Sequence, residues 1–379
     1  MPGARVPEVG FRHRHAVPST PGLAEEGEIV SKPRNSASER NVTIKDVARE
    51  AGVSAMSVSN VLNGRGRISE ATANHIREVV QRLDYRPSVA ARRLRLSQQW
   101  TIGMLIVVED PDFLSDPFIT TQVTGLTNYL TANSYSLILR GMKPSDFRTT
   151  GLFQDIEADG MVAILSGEQE QREWFIRELS GLRVPLVLLQ EERLPEKADC
   201  AIVRQDDFSG GRQVGKHLLS TGARNCWVLI PQVEWAAMRA RKAGAASAFS
   251  DAGAPDLEII RCGDESFDVT YEATLAALRS GPAPDAIIGG NDQMAIAAMK
   301  ACVDFGLAIP DQVQITGFNA FEIWRYVDPV LTTVRSAAHA LGERAAAELI
   351  ERLQIGHFSK REITLPVEFQ VGKSTLPSS

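Results

Sequence analysis

The sequence predicts an α/β protein with an N-terminal helix-turn-helix headpiece of three helices, a hinge helix, and a core of two α/β subdomains with parallel sheets. Three observations predict this organisation. Residues 41–63 read as two short helices broken at Gly52-Val53, residues 100–379 alternate short apolar runs with amphipathic helices, and the two regions differ in charge. We expect a disordered extension at 1–40, the helix-turn-helix domain at 41–86, the hinge helix and linker at 87–99, and the core at 100–379.

The first helix is predicted from its start signal. Thr43 is followed three residues later by Asp46, a spacing that resembles a capping box. Ile44, Val47 and Ala48 then fall on one helical face, which we expect to be buried. The helix should end near Glu50 or Ala51, because Gly52 can take the positive φ that a sharp turn between helices needs.

The second helix begins after Ser54, a good N-cap residue, and it buries Val58, Val61 and Leu62. Small and hydrogen-bonding side chains remain for its outer face, and this thin set suits entry into the major groove of DNA. The set consists of Ala55, Met56, Ser57, Ser59 and Asn60. The alternative is a helical hairpin at the edge of a larger domain, without any role in DNA binding.

Two further segments support a compact DNA-binding domain. Ser69 caps a predicted third helix over 69–85, in which Ile76, Val79, Val80 and Leu83 recur at helical spacing and can close a three-helix core. Pro87 and Ser88 then start a short arginine-rich helix.

The charge distribution supports the same division. Residues 41–99 contain 10 Lys or Arg and 5 Asp or Glu, whereas residues 100–379 contain 25 and 37. A basic module on an acidic body fits phosphate binding by the module and repulsion of DNA by the body. The candidate phosphate contacts, each of which could instead be merely solvated, are Arg49, Arg65, Arg67, Arg77, Arg86, Arg92, Arg93 and Arg95.

The region after residue 100 is long enough to bury a large core. Its candidate strands are TIGMLIVV, YSLILRG, GMVAILS, VPLVLL, AIVR, NCWVLIP, EIIRCG, AIIGG and QITGFN, separated by helical stretches. This alternation predicts parallel sheets covered on both faces, and the number of strands favours two sheets with a cleft between them.

Other features narrow the class of protein. The four cysteines are far apart and lack CxxC pairing, so we expect a reduced cytoplasmic protein without structural zinc. No apolar run approaches the length of a membrane helix, and the N-terminus lacks the apolar core of a signal peptide. We find no GxSxG, HExxH or phosphate-binding Gly-rich Lys loop, so we expect no catalytic residues, metal or cofactor.

A family resemblance covers all but about the first forty residues. TIKDVAREAGVSAMSVSNVLN, LDYRPSVAARRL and TIGMLI resemble the DNA-binding headpiece, hinge helix and first core strand of the LacI/GalR (lactose-repressor) family. The resemblance continues in the same order through EADGMVAIL at 157–165, DDFSGGRQVGKHLLSTG at 206–222, GGNDQMAIAAMKA at 289–301, GLAIPDQVQITGFN at 306–319 and PVLTTVR at 329–335. It implies a periplasmic-binding-protein-like core, with one subdomain at about 100–204 and 335–361 and the other at about 205–334 and 362–374.

The resemblance also assigns roles in DNA binding. Ala55, Met56 and Asn60 match the family's base-contacting positions, and Ser59 is a further candidate. The alternative for Met56 is that it packs on the first helix. Phosphate or hinge contacts are expected from Thr43, Ser54, Ser57, Arg86, Arg92 and Arg93. Leu94 matches the leucine with which paired hinge helices of a family dimer kink the minor groove, whereas a plain basic linker would give it no role.

An effector is expected in the crevice between the subdomains, at the carboxyl ends of the strands. The residues in matching positions are Glu109, Asp110, Phe118, Ile164, Ser166, Trp235, Arg241, Asn291 and Asn319. Three of them have structural alternatives. Asn291 could only cap a helix, Arg241 could only pair with an acidic neighbour, and Trp235 could belong to the core.

Two departures from the family pattern bear on the effector. Asn319 stands where many sugar-binding members have Asp, and Gln205 stands where Asp or Asn is frequent. Two bidentate acceptors for neighbouring hydroxyls are therefore missing. We expect a small polar metabolite, carbohydrate-related on the resemblance alone, whose binding either weakens or strengthens the grip on DNA.

The expected function is that of a transcriptional regulator, most simply a repressor. The C-terminal tail carries no leucine heptad, so we expect a homodimer that binds a pseudo-palindromic operator and has no membrane partner. The rival interpretations are a small-molecule-binding or transport protein and a sugar-active enzyme with a DNA-binding appendage.

Overall fold

A computed structural model describes residues 42–62, 68–85, 99–109, 112–194 and 198–377. The predictions for the extension at 1–40, for Arg65, Arg67, Arg86, Pro87 and Ser88, for the hinge residues Arg92, Arg93, Leu94 and Arg95, and for Asp110 lie outside these residues. The chain divides into two compact units, Met1–Ser88 and Val89–Ser379.

The described residues of the first unit form three helices, α1 (Ile44–Glu50), α2 (Ala55–Leu62) and α3 (Glu70–Arg82). Their buried core consists of Val47, Val58, Ile76 and Val79 with smaller side chains around them. The helices, their order and their buried faces confirm the sequence prediction, since Val61, Leu62, Val80 and Leu83 pack against this core as expected.

The second unit begins with the strands β1 (Thr101–Val107), β2 (Ser136–Met142), β3 (Gly160–Leu165), β4 (Leu186–Leu189) and β5 (Cys200–Gln205), and with the helices α4 (Pro117–Ala132), α5 (Pro144–Thr150) and α6 (Gln169–Ser180). It continues through α7 (Asp207–Ser220), β6 (Cys226–Pro231), α8 (Ala236–Asp251), β7 (Glu258–Cys262), α9 (Phe267–Ser280), β8 (Ala286–Gly289), α10 (Asp292–Phe305) and β9 (Gln314–Thr316). It ends with β10 (Thr333–Arg335), α11 (Ala338–Ile355), β11 (Glu362–Leu365) and β12 (Glu368–Gln370). Short 3-10 turns occupy Phe113–Ser115, Leu152–Asp155 and Glu322–Arg325.

The strands form two parallel sheets, as the alternation of strands and helices predicts. The first subdomain contains a six-stranded sheet in the order β11-β5-β4-β3-β1-β2, and the second contains a four-stranded sheet in the order β7-β6-β8-β9. Apolar clusters cover both faces of the first sheet, one with residues from α4 and α11 and the other with residues from α5 and α6. All nine predicted strands are present.

Three strands were missed, and one of them corrects a predicted boundary. β11 pairs with β5 in parallel, so residues 362–365 belong to the first subdomain rather than to the second. The chain leaves this subdomain only after Leu365, and β12 then pairs with β10 in an antiparallel ribbon. In β11 the side chains of Glu362 and Thr364 are exposed, so this strand lacks the apolar run by which the other strands were recognised.

The three passages between the subdomains are hydrogen-bonded to one another. The backbone N–H of Asp206 donates to the carbonyl of Leu365 over 2.9 Å. The backbone N–H of Ala337 donates to Oε1 of Gln205, also over 2.9 Å. The strand ends of the two sheets are therefore brought to one crevice. Among the helices of the described residues, none is long and apolar enough to cross a membrane.

Candidate nucleic-acid interface and ligand crevice

The start of α1 is fixed by the predicted pair of residues. Thr43 donates to Asp46 Oδ2 from its backbone N–H over 3.0 Å and from its hydroxyl over 2.7 Å. These hydrogen bonds hold the pKa of Asp46 below its usual value. The Thr43 hydroxyl, predicted as a phosphate contact, thus serves first as part of a helix cap.

The turn between α1 and α2 also follows the prediction. Gly52 has φ of 65°, a conformation that a residue with a Cβ adopts at a cost. Ser54 caps α2, since its Oγ accepts the backbone N–H of Ser57 over 3.0 Å and lies 2.9 Å from the Ser57 hydroxyl. The cap sets the direction in which α2 leaves the turn.

Fewer side chains of α2 are fully exposed than the sequence predicts. Met56 is 67% exposed, so its side chain does not pack on the first helix. Ser57, Ser59 and Asn60 are half-buried. Ala55 is also half-buried, because part of its side chain packs against the three-helix core, so less of it faces outward than predicted.

The cationic side chains described in this domain lie on its surface. Arg49 pairs with Asp46 over 2.5 Å, and Arg82 pairs with Glu50 over 2.8 Å. Arg77 donates to the amide oxygen of Asn74 over 2.7 Å. Exposed pairs of this kind contribute little to stability and can be exchanged for contacts with phosphate.

In the second subdomain, Arg241 is held by its own protein. Its Nε donates to Asp207 over 2.8 Å, its Nη1 to the Gly290 carbonyl over 2.9 Å, and its Nη2 to Asn319 over 3.4 Å. The guanidinium also lies 3.8 Å from the ring centroid of Phe318. The interpretation that Arg241 pairs with an acidic neighbour is therefore the one that these contacts support.

The two predicted asparagines are also bonded within the second subdomain. Asn291 caps α10, because its Oδ1 accepts the backbone N–H of Met294 over 2.9 Å, and its Nδ2 donates to Glu265 over 2.8 Å. Asn319 has φ of 121°, an unusual value outside glycine, and its backbone N–H donates to the carbonyl of Val334 over 2.8 Å. Capping explains Asn291 only in part, since its amide also orients a carboxylate.

Trp235 packs against the protein core, and Gln205 is hydrogen-bonded within the protein. Trp235 is half-buried and packs against the core of the second subdomain. Gln205 is 3% exposed, and it donates to Asp207 over 2.9 Å while accepting from the backbone of Ala337. The family departure at Gln205 therefore lies within the connection between the subdomains, where its side chain is fully used.

The first subdomain supplies the facing wall. The ring of Phe118 on α4 lies with its centroid 6.4 Å from that of Phe321 in an edge-to-face arrangement, so the two subdomains meet at an aromatic pair. Ile164 is half-buried, and Ser166 donates from its hydroxyl to the carbonyl of Val107 over 3.0 Å. Phe321 lies two residues after the predicted strand QITGFN, but it was not among the predicted site residues.

Two acidic residues of the crevice were also missed. Asp116 caps α4 by accepting the backbone N–H of Phe118 over 2.7 Å, and burial raises its pKa. Glu265 precedes α9, and burial followed by the charge of Asp116 raises its pKa to about 7. A cap signal before Pro117 could have identified Asp116, whereas Glu265 stands in a loop without a pattern.

Glu109 lies apart from these residues. It lines an open depression of about 950 Å³ beside α5 and α6, together with Arg148, Trp174 and Arg177. The guanidinium of Arg148 lies 5.2 Å from the Trp174 ring centroid. Of the predicted effector residues in the described part of the chain, Glu109 alone lines this depression.

Comparison with known proteins agrees with this architecture. Residues 43–88 match the bacterial regulatory proteins of the lacI family, and residues 216–375 match the periplasmic binding protein-like domain. The chain is 28% identical over 337 residues to the HTH-type transcriptional repressor PurR of Aliivibrio salmonicida, covering 88% of this chain and 98% of the relative. It is 29% identical over 317 residues to the ribose operon repressor of Escherichia coli, covering 82% and 93%.

Solved structures share the fold. A lac repressor dimer bound to operator and the anti-inducer ONPF superposes with a TM-score of 0.75 at 23% identity, covering 89% of this chain and all of that one. A LacI family regulator from Enterococcus faecium with bound ribose gives 0.63 at 25% identity, covering 74% and 100%. With its headpiece, its two-subdomain core and these relatives, the chain belongs to the lacI family of bacterial regulatory proteins.

Proposed function

We propose that this protein is a homodimeric, sequence-specific transcriptional repressor whose affinity for its operator is controlled by a small polar effector in the crevice. The observation that carries the proposal is α2, a capped second helix whose outer face presents the exposed Met56 beside small polar side chains. Such a helix fits the major groove. The repressor relatives support the same role.

In this proposal the bases are read from one face of α2. Asn60 can hydrogen-bond a base edge, most naturally adenine, and Met56 can contact a thymine methyl group. Ser59 and Ala55 complete the candidate base contacts, while Thr43, Ser54 and Ser57 lie at the helix starts where backbone phosphates approach. The hinge at 87–99, with Arg92, Arg93 and the wedge candidate Leu94, extends the interface into the minor groove.

The symmetry of the proposed dimer determines the symmetry of the operator. Two headpieces related by a two-fold axis require a pseudo-palindromic site, and the related lac repressor is a dimer on its operator. An effector that prefers one arrangement of the subdomains changes the population that can bind DNA. As a regulator of transcription, the protein acts in the cytoplasm. A related regulator that binds ribose supports a small polar effector.

The test of DNA binding begins with selection of sites from a random DNA library by the full chain. We expect a pseudo-palindromic site, confirmed by gel shift. Asn60→Ala should change base preference at one position of each half-site and cost about 1–3 kcal/mol on the selected operator. Gln81→Ala, an exposed position on α3, is the matched control and should leave affinity unchanged.

Two results would contradict the proposal. Selection that recovers no common sequence would remove sequence-specific recognition and favour a solute-binding protein. An unchanged base preference for Asn60→Ala and Met56→Ala would move recognition away from α2 even if the operator were real.

A further inference from the structure

An ion pair joins the two subdomains beside the crevice. Glu192 follows β4 of the first subdomain, and Arg239 lies on α8 of the second. Nη2 of Arg239 donates to Oε2 of Glu192 over 2.9 Å. Both side chains remain partly accessible to solvent, 35% for Arg239 and 42% for Glu192. The pair can form only while the two subdomains lie close together, and it can separate into water without leaving a buried charge.

The first subdomain holds the backbone of Glu192 in position. Nη1 of Arg204 donates to the carbonyl of Glu192 over 3.2 Å, and Nη2 of the same guanidinium pairs with Glu362 over 3.0 Å. The preceding residue, Glu191, is buried and pairs with Arg172 over 3.1 Å. Since these contacts already order the segment, little backbone freedom is lost when the Glu192 carboxylate meets its partner.

The second subdomain presents more positive than negative charge to this carboxylate. Arg239 donates from Nη1 to the backbone carbonyl of Glu234 over 2.6 Å. The carboxylate of Glu234 pairs instead with Lys242 over 2.6 Å and with Arg261 over 3.0 Å. Three cations thus surround one carboxylate of their own subdomain. Among the described residues, Glu192 is the only carboxylate that pairs with Arg239, so the first subdomain supplies the second negative charge.

Resting on the effector control proposed above, we propose that the ion pair of Glu192 and Arg239 is a latch that favours the closed arrangement of the subdomains when no effector is bound. The aromatic contact between Phe118 and Phe321 spans the same crevice in this arrangement. An exposed ion pair is too weak to prevent opening, but it can raise the ratio of closed to open protein about two- to fivefold. The latch therefore adjusts the starting point of the switch, on which the effector then acts.

The ratio of closed to open protein can be measured without effector or DNA. The four native cysteines are buried, so Glu170→Cys on α6 and Ser250→Cys on α8, both at exposed positions, can carry a donor and an acceptor dye. Full-length labelled chain is mixed with an excess of unlabelled chain, so that each molecule observed carries one labelled copy. Single-molecule energy transfer then reports the distance between the two subdomains.

The substitutions form a double-mutant cycle with a matched control. Glu192→Gln and Arg239→Gln should each lower the closed-to-open ratio about two- to fivefold, because each removes the same charge attraction. The double variant should resemble either single variant rather than show the product of both effects. Asp199→Asn is the control, because Asp199 is 43% accessible and pairs with Arg352 inside the first subdomain. It should leave the ratio unchanged.

Salt gives an independent readout of the same contact. Raising KCl from about 50 to about 500 mM screens an exposed ion pair, so it should lower the closed-to-open ratio of the unsubstituted protein. The same change should have a smaller effect on Glu192→Gln, in which the pair is already absent. An equal response of the two proteins would show that the salt acts elsewhere, and the latch would be rejected.

The remaining outcomes separate the latch from the proposed repressor function. Unchanged ratios in both single variants, or effects that multiply in the double variant, would overturn the latch whether or not the protein binds an operator. Failure to select an operator would remove the repressor role, while the distance measurement would still report on the latch. If Glu192→Gln shifts the ratio and leaves affinity for a selected operator unchanged, the latch stands and control of DNA binding by subdomain closure is contradicted.

Discussion

The two subdomains of the core share one packing arrangement and differ in the polar groups buried around it. In the first, α4 crosses α11 at Gly125 and Gly342, and in the second, α7 crosses α8 at Gly211 and Gly244. A Cβ at any of these glycines would lie 2.0 Å from a backbone oxygen of the facing helix. Both crossings therefore depend on direct contact between helix backbones.

The buried polar groups at the two crossings differ in their hydrogen bonding. Asp207 and Arg241 of the second crossing satisfy each other and join the crevice wall. Gln122 of the first crossing is fully buried, and neither atom of its amide has a hydrogen-bond partner among the residues that the structure describes. The second crossing therefore has buried polar groups that are paired with each other at the crevice, whereas the first has buried polar groups that lower stability.

Of the substitutions at the two crossings, Asp207→Ala should have the largest effect on stability. It leaves the Arg241 charge buried without its partner, so we expect a loss of about 3–5 kcal/mol in the free energy of unfolding, measured with urea. Asp251→Ala is the matched control, because Asp251 pairs with Arg212 between the same two helices while both side chains are exposed. That pair should contribute at most about 1 kcal/mol. Equal losses would show that the buried pair adds nothing beyond a surface contact.

Gly342→Ala and Gly211→Ala test the property that the two crossings share, which is direct contact between helix backbones. Each new Cβ forces two helices apart, and we expect about 1–3 kcal/mol of destabilisation even though alanine favours helix formation. Gly281→Ala is the control, since no atom lies within 4 Å of the position that its new methyl group would occupy and its backbone is extended. Calorimetry should show a lower midpoint for the first two variants alone. A midpoint unchanged in one of them would mean that this subdomain does not rely on backbone contact.

The sequence could predict what depends on local signals. The caps at Thr43 and Ser54, the turn at Gly52 and the nine predicted strands each follow from neighbouring residues, and all are present. The strands β10, β11 and β12 were not predicted, because each is defined by a distant partner rather than by an apolar run of its own.

The residues of the crevice also fall into those that the sequence could predict and those that it could not. Asn291 lies at the predicted strand-to-helix junction, and it caps the helix as one of its two predicted roles requires. The contact between Phe118 and Phe321 could not be foreseen, because they are far apart in sequence and meet only when the two subdomains face each other. The full bonding of Arg241 and Gln205 depends likewise on residues from three separate segments.

Gln122→Met should produce the smallest effect, and it has the opposite sign. Methionine keeps the length of the side chain while removing two buried polar atoms that lack partners among the described residues, so we expect the free energy of unfolding to rise by about 1 kcal/mol. Thr124→Met, exposed on the same helix, controls for the added apolar surface and should change stability by less than about 0.5 kcal/mol. Urea midpoints of both variants give the comparison. A loss of stability for Gln122→Met would mean that the amide is satisfied in solution, and the contrast between the two crossings would then disappear.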